Sequence, residues 1–310
     1  MGTPDGGASV FAPNVISGPD SDIAPAFAPS GSTVFFTRNT AGRFTIMVSE
    51  RQKQTWSPPR VADFSGHWND LEAALAPNGR YIIFASDRPA TSEHSALTAR
   101  YYNKEQIGGR LWRVDLFRGH SGVPCLLPAA INSSASVWTP SVASNNDLYF
   151  MHTDPQTGRF RLMVARASGE RTYSAARPLA FSTGSFNDVD PAVDPQQRFL
   201  IFSSDRGSPG KASAPGPERL YIAFAPASSH PIVWPVQIPG WSDPTESQVE
   251  ARLSPDGRWL YFASPHPGHT SGEPKAGDWD NGKANIWVIA LRASLWHSRQ
   301  SHLDPQRAPP

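Results

Sequence analysis

The stretch Ala251-Arg-Leu-Ser-Pro-Asp-Gly-Arg-Trp-Leu-Tyr-Phe262 decides the fold, because the chain repeats its pattern five times. The other copies are Pro25-Ala-Phe-Ala-Pro-Ser-Gly-Ser-Thr-Val-Phe-Phe36, Ala73-Ala-Leu-Ala-Pro-Asn-Gly-Arg-Tyr-Ile-Ile-Phe84, Pro140-Ser-Val-Ala-Ser-Asn-Asn-Asp-Leu-Tyr-Phe150 and Pro191-Ala-Val-Asp-Pro-Gln-Gln-Arg-Phe-Leu-Ile-Phe202. Each opens on a small residue or proline, makes a tight turn and enters a strand rich in β-branched and aromatic residues, the types that suit a half-buried pleated surface. The turn residues have separate jobs: Pro presets one dihedral, and Gly or Asn accepts a positive one. A period of roughly 50 to 65 residues is the scale of a propeller blade and too long for most solenoids.

Each repeat reads as four antiparallel strands. In the first, these cover about residues 22–27, 33–37, 44–48 and 56–62. Third strands follow as Leu111-Trp-Arg-Val114, Arg161-Leu-Met-Val164, Leu220-Tyr-Ile-Ala223 and Asn285-Ile-Trp-Val-Ile289. No long segment has the helical period, so the expected fold is all-β, a five-bladed β-propeller of four-stranded antiparallel blades. The blades fall at approximately 20–65, 66–132, 133–183, 184–241 and 242–297, making 1–297 one propeller domain with a polar tail at 298–310. Residues 9–18 resemble the end of a fourth strand (Pro59-Arg-Val-Ala-Asp-Phe-Ser-Gly66), and are expected to complete the fifth blade and close the ring; the alternative is a fourth strand beginning near Trp296, with residues 9–18 redundant or paired elsewhere. Closure removes strand edges that would otherwise pair with other chains.

The composition excludes several classes. With 28 basic and 27 acidic residues, a net charge of +1 and no Lys/Arg tract, the chain gives nucleic acid and anionic membranes little to bind. No apolar run approaches membrane-spanning length. The one cysteine, Cys125, is expected as a small buried apolar residue. The start, Met1-Gly-Thr-Pro-Asp-Gly-Gly-Ala8, lacks the basic-then-apolar order of a secretion signal and reads as a mature terminus. A periplasmic or otherwise extracytoplasmic location is expected, with a cytoplasmic one the alternative. The expected state is a monomer.

Ser254-Pro-Asp-Gly-Arg-Trp-Leu-Tyr-Phe-Ala-Ser264, Phe84-Ala-Ser-Asp-Arg88 and Phe202-Ser-Ser-Asp-Arg206 resemble the WD40-like (PD40) repeats of TolB-type β-propellers. The resemblance runs through nearly the whole chain and implies the architecture. It implies less about function, since such propellers serve as scaffolds and as enzyme-associated domains. No Gly-x-Ser-x-Gly elbow is present in these residues, and no hydrolase domain is expected after the propeller.

Function is expected where the repeats differ. Just before each phrase stand Ala24, Glu72, Thr139, Asp190 and Glu250; two positions earlier stand Asp22, Asp70, Val137, Asp188 and Gln248. The first strand of each blade lines the central channel, so Glu72, Asp190 and Glu250 should converge there. The connections between second and third strands are long in the same three blades (residues 90–107, 207–218 and 266–282), on the face where the first strands begin. Long loops are more often functional than neutral. Trp68 and Phe186 sit at equivalent positions in Gly66-His-Trp-Asn-Asp-Leu-Glu72 and Gly184-Ser-Phe-Asn-Asp-Val-Asp190, and Trp241 and Trp279 lie in loops on that side. Rings beside carboxylates suit sugar faces or cations.

The candidate catalytic residues are therefore Glu72, Asp190 and Glu250. The candidate ligand contacts are His67, Trp68, Asp70, Thr139, Phe186 and Asp188, with Trp241, Arg252, His266 and Trp279. A structural reading stands beside this one: acids before the first strand can bond backbone amides of the adjacent blade. No metal site or cofactor is expected, a divalent cation on the channel carboxylates being the one exception. Binding of a small molecule, glycan or peptide at an acidic, aromatic-rimmed mouth is the first functional expectation. Acid–base chemistry is the alternative, as a glycoside hydrolase with carboxyls about 5 to 10 Å apart or as a lyase or cyclase.

Overall fold

A computed structural model describes residues 8–90, 95–101, 104–117, 120–207, 216–224, 235–238, 246–265 and 279–291. Among these there is no helix, and so none long and apolar enough to cross a membrane. The strands form five antiparallel blades. The first strands are Ser21–Phe27, Asp70–Leu75, Val137–Val142, Asp188–Val193 and Val249–Leu253, and each touches the next around a closed ring. The second strands, Thr33–Thr40, Tyr81–Ser86, Leu148–Thr153, Phe199–Ser204 and Trp259–Ser264, are those that end the repeated phrase.

Ring closure follows the sequence expectation. Ser9–Val10 pairs antiparallel with the third strand of blade 5, Ser9 opposite Val288 and Val10 opposite Trp287. The Phe11 N–H donates to the Ile286 carbonyl at 2.8 Å. The Phe11 ring then lies 5.2 Å from Tyr261 of blade 5, and 5.6 Å and 5.7 Å from Phe27 and Trp56 of blade 1. One N-terminal segment thus joins the last blade to the first by hydrogen bonds and by edge-to-face aromatic packing.

The phenylalanine that closes each phrase has the same job in every blade. Phe36, Phe84, Phe150, Phe202 and Phe262 are all fully buried. Opposite each of them the first strand carries a β-bulge, two residues facing one. The first residue of the bulge has a left-handed backbone: φ is 52° at Ala24, 57° at Glu72, 45° at Thr139, 56° at Asp190 and 57° at Glu250. The second is Pro25, Ala73, Pro140, Pro191 or Ala251. Proline is tolerated inside these strands because a bulge leaves one residue out of the ladder. A non-glycine residue in this region costs roughly 1 to 2 kcal/mol, and the fold accepts that cost at five equivalent places.

Two details differ from the sequence reading. The long connection of blade 2 is partly ordered as a hairpin, Thr98–Tyr101 against Lys104–Ile107. At its base Gly109 lies so close to the Trp138 ring of blade 3 that a Cβ there would fall 2.5 Å from it. Cys125 is the second correction: it is exposed. It sits on the short outermost strand Cys125–Leu126, where an edge position faces solvent while Leu127 turns into the core. Native protein should therefore react stoichiometrically with a maleimide at Cys125, and Cys125→Ser should leave the unfolding free energy within about 0.5 kcal/mol of the parent. Labelling seen only after denaturation would place the thiol inside.

Candidate functional site

The five bulges re-aim one side chain per blade. Three of these are carboxylic acids, and the structure brings them together as the repeat alignment expects: one oxygen each from Glu72, Asp190 and Glu250 lie within 4.8 Å of one another. They are buried, with 5%, 4% and 7% exposure. The Thr139 backbone N–H donates to Glu72 Oε2 at 2.6 Å, and the Thr139 hydroxyl to Asp190 Oδ1 at 3.1 Å. The Glu250 N–H donates to Asp190 Oδ2 at 2.8 Å, and the Glu72 N–H to Thr37 Oγ1 of blade 1 at 2.8 Å. Side chains of blades 1, 2 and 4 thus hold the bulge amides of blades 2, 3 and 5, and blade 3 reaches blade 4 through the side-chain bond from Thr139 to Asp190.

Crowding acids in a buried space disfavours their charged forms. Burial, with the Asp190 charge beside it, pushes the Glu72 carboxyl from 4.5 to about 7. Asp190 is raised, chiefly by burial. Glu250 is raised well above its ordinary value by burial and by the charges of Asp190 and Glu72. The Arg252 guanidinium pulls all three back down without cancelling the rise. Its Nη2 is 3.4 Å from Glu250 Oε2. Raised carboxyls this close together favour shared protons over full ionisation. The three carboxylates could also supply part of the six to eight oxygens that calcium takes, with Arg252 competing for the same negative charge.

The acids at the start of the first strands pair with an arginine of their own blade, and Asp188 also takes a serine from the end of blade 3. Asp188 accepts from the Ser182 hydroxyl at 2.8 Å, from the Ser204 hydroxyl at 2.7 Å and from the Arg206 guanidinium. Asp70 does the same with Ser86 at 2.7 Å and Arg88 at 2.6 Å, and Asp22 with Arg38 at 2.8 Å. In each, burial raises the carboxyl even though the guanidinium pulls the other way. The neighbouring Asn is a latch. Asp87 holds the Asn69 amide group, whose Oδ1 takes the Phe44 N–H of blade 1; Asp205, Asn187 and the Phe160 N–H of blade 3 repeat the pattern.

The aromatic candidates separate. Phe186 lies 5.6 Å from the Arg206 guanidinium, and Trp279 packs edge-on against Trp287 at 5.8 Å. Trp68 is half-buried with the exposed His67 ring 5.1 Å away. Trp241 and His266 lie outside the described residues, as does most of the long loops of blades 4 and 5.

The axial cavity visible among the described residues is on the other face. It measures about 330 Å³ and takes its walls from all five blades, at the turns between first and second strands, with Arg252 among them. Sequence reasoning placed the ligand face at the opposite mouth. The signal for this one is in the repeat alignment: immediately past the bulge stand Ala26, Ala74, Ser141, Ala192 and Arg252. Four small side chains leave the axis open, and one cation enters it.

No family model matches the chain, and no curated protein does. Solved structures share its fold. An α-L-arabinofuranosidase from Lactobacillus brevis is 12% identical over 88% of this chain and 90% of that one, with a TM-score of 0.56. A thermostable family-43 glycoside hydrolase is 11% identical over 88% and 90%, at 0.51. TolB from Acinetobacter baumannii is 12% identical over 88% of this chain and 55% of that one, at 0.49. At such identities the similarity is one of architecture, and architecture does not carry function.

Proposed function

We propose that this chain is a binding propeller that holds a small molecule on its axis, at the turn face. The observation that carries this reading is the cavity of about 330 Å³ to which every blade contributes. It lies at the small end of ligand-sized pockets, roughly 300–1,000 Å³. The acids beneath it are buried and hold backbone amides of adjacent blades, a role that stabilises the ring without chemistry. Soaking crystals with a set of small neutral, acidic and basic fragments tests the reading. Density in the axial cavity supports it; fragments found everywhere but there reject it.

Acid–base catalysis is a second reading, favoured by one observation: a carboxyl with a pKa of about 7, Glu72, beside two further acids, which is near the optimum for a general acid. It predicts release of nitrophenol from aryl glycosides, at least 100-fold slower in Glu250→Gln. Turnover no faster than buffer would remove it.

A further inference from the structure

We propose that the cleft between blades 1 and 2 binds a small aromatic amine, its ring among Phe35, Phe64 and Leu75 and its ammonium group beside Glu50. The proposal does not depend on the axial reading, although Pro29 and Leu75 line both cavities.

One residue per blade, just past the outermost strand, packs toward the next blade. Its N–H donates to a carbonyl of the third strand: Phe11 to Ile286 at 2.8 Å, Ala62 to Ile46 at 2.9 Å, Leu127 to Leu111 at 3.0 Å, and Leu179 to Leu162 and Ile238 to Leu220 at 2.8 Å. Four of these side chains are large; blade 1 has an alanine. Between blades 5 and 1 the Phe11 ring fills the junction, 5.2 Å from Tyr261, 5.6 Å from Phe27 and 5.7 Å from Trp56. By strand register the places of those three neighbours are taken, between blades 1 and 2, by Phe35, Leu75 and Ser121. With Ala62 for Phe11 and Ser121 for Trp56, the same junction becomes a cavity of about 250 Å³.

The lining sets the chemistry of the ligand. Phe35, Val48, Phe64, Leu75 and Leu116 make apolar walls, and the Phe35 and Phe64 rings stand 6.2 Å apart, tilted by 38°. Aromatic rings favour such tilted neighbours at about 4.5–7 Å, the arrangement Phe11 finds one junction away. An apolar cavity of about 150 Å³ takes a benzene molecule, so this one has room for a ring and a short chain. Its rim carries two carboxylates, Glu50 and Asp63, and one guanidinium, Arg60, all more than half exposed. Arg60 is bonded to Asp63 at 3.0 Å and lies 3.9 Å from Glu50. Glu50 is therefore the weakly matched charge, and an ammonium group on the ligand's short chain suits it.

Crystal soaks and ligand-observed NMR titrations of the whole protein with 2-phenylethylamine, 3-phenylpropanoate, hexylamine and a blocked Gly-Phe-Gly peptide test this. Phenylethylamine density should appear between blades 1 and 2. It should bind about fivefold more tightly than phenylpropanoate, the most an exposed ion pair supplies, and Glu50→Gln should erase that preference. Ala62→Leu supplies the side chain that blades 2 and 3 use at this position. It should weaken phenylethylamine at least tenfold and raise the thermal midpoint, because a filled cavity regains contacts that its lining lacked. Soaks of the parent decide the location even if a variant fails to fold. Density on the axis alone, or binding unchanged in Ala62→Leu, overturns the proposal. Hexylamine binding as tightly as phenylethylamine overturns the aromatic assignment, and equal binding of amine and acid overturns the part given to Glu50. Binding by the peptide but not by the free amine marks a cleft for a partner's side chain and overturns the small-molecule assignment. No binding by any probe overturns the whole.

Discussion

Asp188→Ala should destabilise the protein by about 3–5 kcal/mol, the usual result of removing one partner from a buried ion pair. Asp188 is 1% exposed and accepts from two serine hydroxyls and the Arg206 guanidinium. Arg206 cannot leave easily. Its guanidinium carbon sits 5.2 Å from the Phe202 ring, 5.6 Å from Phe186 and Tyr221, and 5.8 Å from Phe181. The alanine variant would strand a cation in that cage with only the Ser204 hydroxyl, at 3.0 Å from its Nε. The double variant Asp188→Ala/Arg206→Met should recover most of the loss, because replacing both members by apolar groups is often close to neutral. Urea unfolding of the parent and the variants measures this. A loss under about 1 kcal/mol in Asp188→Ala would mean that the pair is no better than a surface one.

Glu72→Gln should stabilise the protein above pH 7 by up to about 3 kcal/mol and leave it unchanged near pH 4. The sign follows from proton counting. Glu72 holds its proton in the folded state up to about 7, whereas an ordinary glutamate releases it at 4.5. Between those values the native state binds more protons than the unfolded one, so stability falls as pH rises, and the penalty is fully present above pH 7. Glutamine cannot ionise, and its oxygen can still accept the Thr139 N–H that Glu72 now takes. Glu250→Gln should act in the same direction, because that carboxyl is also raised well above its ordinary value, by burial and by the charges of Asp190 and Glu72. Stability curves against pH decide the matter: a parent whose stability rises from pH 5 to pH 8 relative to Glu72→Gln would show that the cluster is ionised and matched, for instance by a bound cation.

Much of the site was legible in the repeats, though its chemistry was not. Aligning the five phrases put Glu72, Asp190 and Glu250 at equivalent positions, and equivalent positions in a ring meet at its axis. The same alignment contained Pro25, Pro140 and Pro191 inside first strands, and Arg252 where other blades have Ala or Ser. A proline in a strand interior signals a bulge, yet the left-handed backbone of the residue before it is announced by nothing in Ala, Glu, Thr, Asp and Glu. The second aspartates show the limit differently. Asp70 and Asp188 looked like channel residues by spacing, but their partners Arg88 and Arg206 lie 18 residues onward, and only strand pairing brings them within bonding distance.

The sequence by itself determined the five blades and the turns between first and second strands, because local propensity and a repeated pattern act through neighbours in the chain; that residues 9–10 pair with the last blade was settled by the structure. Which acids hold neighbouring blades, how burial raises their carboxyls, and where the cavity among the described residues lies were decided by tertiary structure alone. Those properties depend on burial and on distances between blades some 50 to 65 residues apart, and neither is written in any one repeat.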